Sequence, residues 1–202
     1  MFGLRFNDNS SRLMLLANIL ALIIALYLGY SIAMMIWLYW FESLMVGAFT
    51  LLAIIAALRQ EKTQGWKLAL ASTIFFVFNY GVFHLAYVIV APYFPSLGFD
   101  WARLYDLAPA AVLLMIPQAL SFYENEMGRT HTNTAAYVAA HVSAVYSRVM
   151  YIAMILVAAA ALKFYFGSES DVLFAAMLVK LFADMRIDEA KRKKLAIVGS
   201  NQ

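Results

Sequence analysis

Five ionisable side chains stand inside apolar runs where hydrocarbon would reject them: Glu42 in YWFESLM, His84 in GVFHLA, Arg148 in YSRVMY, and Lys180 and Asp184 in LVKLFADM. His141, in AAHVSA, is a sixth. Each costs at least about 2.5–3.5 kcal/mol to place at the centre of a bilayer, so each calls for a partner or a task. Acids and bases held at a common depth can relay a proton or hold a small charged solute. In that reading Glu42, His84 and Asp184 titrate, while Arg148 and Lys180 are fixed charges that tune them. The competing reading is a structural ion-pair network that conducts nothing.

Helical spacing puts several of these groups on shared faces. His141 and Arg148 are seven residues apart, Lys180 and Asp184 four, and Tyr80, His84 and Tyr87 follow an i, i+4, i+7 stripe. Glu42 has no opposite charge at such a spacing, so its partner must come from another helix. Beside it, Ser43 and Gly47 form a small-xxx-small pair that admits a close neighbour. Asn79 reads as an amide in need of a hydrogen-bond partner.

Other chemistries fit poorly. Glu42, His84, His141 and Asp184 are metal-ligand types, but the chain has no HExxH and no histidine pair at i, i+4, and His84 and His141 fall at different depths. No metal and no cofactor is expected. The absence of cysteine removes disulfides, thiolate sites and cysteine catalysis. There is no GxSxG in the manner of a hydrolase. The aromatic runs WLYWF and FFVFNYGVF suit packing and lipid contact better than a pigment, quinone or sterol pocket.

Only long apolar helices can position such groups. Of 202 residues 64% are apolar and 13% charged, with mean hydropathy +0.75, against roughly 45–50% and 25% in soluble domains. Six runs near the roughly 20 residues needed to cross a bilayer are punctuated by polar segments. They cover about 13–28, 32–58, 67–93, 107–123, 134–166 and 171–187. Pro117 predicts a kink in the fourth, and the aromatic and charged stretch around Trp101, Arg103 and Tyr105 predicts an interfacial segment before it. The fold expected is an all-α, polytopic transmembrane bundle of about six helices: one membrane domain over 1–190 and a basic tail over 191–202. The N-terminus shows no signal-peptide cleavage pattern. At 1.5 Å per residue, Glu42 lies roughly 15 Å along its helix, and Arg148 and Lys180 reach a comparable depth.

Orientation follows from the basic residues of alternate loops. With both termini in the cytoplasm, Arg5, Arg12, Arg59, Lys62, Lys67, Arg129, Arg186, Lys191, Arg192, Lys193 and Lys194 fall inside, against Arg103 and Lys163 outside. The expected location is the cytoplasmic (inner) membrane, multi-pass. These charges sit where topology requires them, so the expected partners are the bilayer and anionic headgroups at the tail, with no nucleic acid. Homo-oligomerisation or membership of a larger membrane complex is open. His131 reads as a solvated loop residue.

The motifs YWFES at 39–43, FFVFNYGVFH at 75–84, YSRVMYIAMIL at 146–156 and LVKLFADMR at 178–186 resemble an uncharacterised family of bacterial and archaeal integral membrane proteins. The resemblance spans most of the chain and implies that Glu42, His84, Arg148, Lys180 and Asp184 are the family's polar positions. It names no activity. The resemblance implies further histidines after the arginine and near the chain end, whereas here Val149, Met150, Tyr151 and Ile152 follow Arg148, which weakens the metal reading further. The function expected is binding or translocation of a proton, cation or small charged solute. The alternatives are a membrane enzyme acting on a lipid or quinone and a non-catalytic subunit of a membrane complex.

Overall fold

The computed structural model describes residues 9–60, 66–90, 101–125, 134–166 and 169–200. They form six α-helices: α1 (Asn9–Tyr27), α2 (Ile32–Gln60), α3 (Trp66–Val90), α4 (Ala108–Asn125), α5 (Thr134–Phe166) and α6 (Glu169–Ser200). A 3-10 segment, Trp101–Leu107, leads into α4, and no strand occurs among the described residues. Arg5, Lys62, Pro92, Pro95, Asp100, Arg129 and His131 lie outside the described residues, as do the side chains of Trp101, Lys163 and Arg192.

The α1–α2 turn shows why two spans fit so close together. Tyr30 N–H bonds back to the Ala25 carbonyl at 2.8 Å and Gly29 N–H to that of Leu26 at 3.3 Å, with Gly29 at φ +63°, a left-handed cap that suits glycine. Ser31 then caps α2, its Oγ accepting from Met34 N–H at 3.2 Å. The Tyr30 hydroxyl donates to the Asp106 carbonyl and ties this turn to the 3-10 segment. Burial, with the Asp106 carboxylate nearby, pushes that phenol above its usual range, so it stays a donor. In the 3-10 segment Arg103 pairs with Asp106 at 3.2 Å and Tyr105 is exposed, in keeping with an interfacial position.

Helix α2 is central, touching α3, α4, α5 and α6; α5 also packs on α3 and α6, and α1 on α4 and α6. One apolar cluster joins Ala25, Tyr30, Met34, Trp37, Tyr39, Leu107, Ile152 and Met177 at the end of the bundle that carries the Gly29 turn. A second joins Ala53, Ile54, Ala57, Ala69, Tyr137 and Val138 at the opposite end. The charged residues lie between them. Pro109 sits in the first turn of α4, where no intrahelical N–H partner is needed, and α4 continues through Pro117.

Among the described residues, four stretches are long and apolar enough to cross a membrane: Ile32–Arg59, Trp66–Ile89, Tyr105–Glu124 and Thr134–Ile155. Arg12–Tyr27 is a shorter apolar helix. Helix α6 is not in this set because Lys180, Asp184, Arg186, Asp188 and Glu189 crowd its middle. Yet Lys180 and Asp184 are each 1% exposed while Phe174, Val179 and Phe182 face outward, the pattern of a helix whose environment is less polar than its interior. It also runs past the predicted end through the basic stretch to Ser200. Alanine, lysine and arginine are good helix formers, and Glu189 supports Lys193 at 2.7 Å across one turn.

Candidate functional site

The charged residues meet at one centre. Lys180 Nζ donates to Asp184 Oδ2 at 2.7 Å and to Asn18 Oδ1 at 2.9 Å. It also lies 2.7 Å from Glu42 Oε2, a close ion contact outside hydrogen-bonding geometry. The Tyr39 ring covers it, with the ammonium 5.0 Å from the ring centroid. The other oxygen of Asp184 takes Arg148, Nε to Oδ1 at 3.2 Å. The order of contacts is Glu42 (α2), Lys180 and Asp184 (α6), Arg148 (α5). Two acids and two bases sum to zero, as burial of charge requires.

The two carboxylates are held unequally. Asp184 is anchored by Lys180 one turn away and by Arg148 from α5, whereas Glu42 has the single ion contact with Lys180. Asn18 was not anticipated as a member. Its amide Nδ2 donates to the Met14 carbonyl at 2.9 Å, which turns Oδ1 toward Lys180. The available signal was an amide in the otherwise apolar run LLANILALII, which carries the same burden of explanation as a charge.

One residue after Glu42, a neutral chain runs the other way, toward α3. The Tyr80 hydroxyl donates to the Ser43 carbonyl and lies 2.7 Å from Ser43 Oγ. His84 Nδ1 is 2.9 Å from the Tyr80 carbonyl and Nε2 is 3.2 Å from Ser43 Oγ. A carbonyl only accepts, so Nδ1 carries a ring proton. Ser43, Tyr80 and His84 form a closed chain of three groups. Gly47 makes it possible: a Cβ there would come within 2.3 Å of Tyr80 Cε1. The serine–histidine contact escaped sequence reasoning because its members are 41 residues apart on different helices.

The remaining predicted residues divide. His141 is buried against Tyr137, ring centroids 4.3 Å apart, on the same helix as Arg148. Asn79 joins neither system; its amide donates to the Phe75 carbonyl at 3.2 Å on α3 itself. Tyr87 packs edge-on to Trp37 at 5.5 Å, and Trp37 to Trp40 at 5.6 Å, so these aromatics are packing groups. Phe75, Phe78 and Phe83 face outward.

A half-open cleft of about 60 Å³ lies among α2, α4, α5 and α6, on the side of the centre toward Lys191. Thr50, Gln118, Ser121, His141, Asp188 and Lys191 line it, and Arg148 forms part of its wall. Arg148 therefore belongs to both the charged centre and the cleft. Its Nη1 is buried and has no hydrogen-bond partner among the described residues. That volume accommodates a few waters or a small polar group. Among the described residues no three of His, Asp and Glu converge to hold a metal.

No curated protein and no solved structure matches the chain. A family profile does, across residues 3–197, which is nearly the whole length and takes in both the charged centre and the α3 chain. The protein belongs to DUF6498, a family of unknown function.

Proposed function

We propose that this protein binds a proton or small charged solute at the Glu42–Lys180–Asp184–Arg148 centre and passes it across the cytoplasmic membrane, through a multi-pass bundle with both termini inside. One observation carries the reading: a neutral, buried four-charge centre approached from one end by a polar cleft and closed at the other by an apolar cluster containing Tyr39 and Trp37. A site open to one face and closed to the other is what alternating access requires of a single state. The basic residues at the cleft end, Arg59, Lys67, Arg186, Lys191 and Lys194 among them, support placing that end in the cytoplasm.

Glu42 is the acceptor in this scheme. It is held by one cation and Asp184 by two, so protonating Glu42 sacrifices the weaker set of contacts and leaves Lys180 with Asp184 and Asn18. In proteoliposomes carrying a pH gradient and an internal pH dye, the wild-type chain should carry proton or proton-coupled flux above empty vesicles. Glu42→Gln should lower it at least about tenfold, the scale of losing a relay group. Wild-type flux equal to empty vesicles, or equal flux in the variant, counts against transport.

A second reading is favoured by the way the four charges saturate one another. In a structural subunit the centre pins α1, α2, α5 and α6 in register and nothing passes. The flux assay separates the two, since a pinned network yields a folded, inactive protein.

A further inference from the structure

We infer that the cleft beside Arg148 is a binding site for a small oxyanion group, a carboxylate or a phosphate. The inference rests on the reading of the adjoining centre as a site for a charged species, and it names the class of that species. Arg148 is 6% exposed, spends Nε on Asp184, has no hydrogen-bond partner for Nη1 among the described residues, and forms part of the wall of a cavity. A guanidinium only donates and does not lose its charge, so an acceptor is required there. An oxyanion supplies several lone pairs in a geometry that a planar guanidinium matches.

The rest of the lining favours the same class. Gln118 and Ser121, three apart and therefore on one face of α4, add an amide and a hydroxyl to the lining, and Lys191 adds a second cation. Asp188 is the acid of the cleft and lies within electrostatic reach of Arg148. Three residues before Lys191 on α6, it offsets that charge. A cation in the same space would meet Arg148 and Lys191 with Asp188 as its only carboxylate. The small volume limits the occupant to the oxyanion group of a solute or headgroup, and the open side lets water screen the added charge.

The oxyanion could belong to a free solute or to a lipid headgroup, and a thermal-shift experiment on the purified full-length chain distinguishes them. In detergent, acetate and inorganic phosphate are titrated against chloride at matched ionic strength. In a parallel arm, nanodiscs of phosphatidylcholine are compared with nanodiscs containing phosphatidylglycerol. A saturable rise in melting temperature with acetate or phosphate supports the proposal and identifies a free solute. A rise confined to phosphatidylglycerol supports it and identifies a headgroup. In either arm Lys191→Met should raise the half-saturating concentration about tenfold, the loss of one charge-assisted contact. Arg148→Lys should abolish the shift; where that variant fails to fold, Lys191→Met alone decides. Equal shifts from chloride, a shift that follows Na⁺ or K⁺ instead, or Lys191→Met without effect would overturn it. The outcome is independent of flux: oxyanion binding without transport removes the transport reading and keeps this one, and flux without oxyanion binding does the reverse.

Discussion

On one side of α2, four charges from three helices neutralise one another around Lys180; on the other, starting a single residue later, Ser43, Tyr80 and His84 close a chain of neutral groups. Successive residues of a helix point about 100° apart, so Glu42 and Ser43 necessarily serve different neighbours. The contrast lies in what each arrangement loses when a member is removed. A neutral chain loses hydrogen bonds, worth about 0.6 kcal/mol each on average between membrane helices. The charged centre is left holding an uncompensated charge in a medium that cannot solvate it.

The contrast can be broken most sharply at Lys180. Lys180→Met leaves Glu42 and Asp184 buried with Arg148 alone, and should destabilise the chain by about 3–5 kcal/mol in denaturant titration of the purified protein. An effect below about 1 kcal/mol, the range of a surface pair, would mean that the centre is hydrated and not closed. On the neutral side the largest effect is steric. Gly47→Ala drives a methyl into the Tyr80 ring, and an unfolding titration should show a loss of about 1–3 kcal/mol. A smaller change comes from Tyr80→Phe, which keeps the ring and deletes the hydroxyl; the expected loss is about 0.6–1.5 kcal/mol, with the His84 imidazole signals shifted in an NMR spectrum as Ser43 reorients. The smallest effect is at Asn79, whose amide bonds only its own helix: Asn79→Ala should stay within about 0.5 kcal/mol in the same titration.

The contrast also marks what a single sequence makes legible. Helix positions followed from apolar length and punctuation: α5 occupies the predicted 134–166, and α2 starts at Ile32 after the Gly29 turn, because glycine and a serine cap leave chemical marks in sequence. Cost alone marked Glu42, Arg148, Lys180 and Asp184, since a buried ion must be answered by another, but it marked His84 and His141 equally, and these do not join the centre. Rotation was not legible. Depth along an axis gives height, and only packing decides that Ser43 turns toward His84 while Asn79 does not, or that Asn18 supplies the third contact of Lys180. The helical course of α6 beyond Ile187 was hidden for another reason. A run of lysine and arginine reads equally as a solvated tail and as good helix formers, and nothing local separates the two.

The most direct test of the claim that the four charges act as one unit is a double-mutant cycle on Glu42 and Lys180, read as unfolding free energies of wild type, Glu42→Gln, Lys180→Met and the double variant. The account predicts that the double variant is more stable than Lys180→Met alone, with a coupling energy of about 1–3 kcal/mol, because removing both partners leaves Asp184 with Arg148 and no orphaned charge. Additive losses, with coupling within about 0.5 kcal/mol of zero, would contradict it.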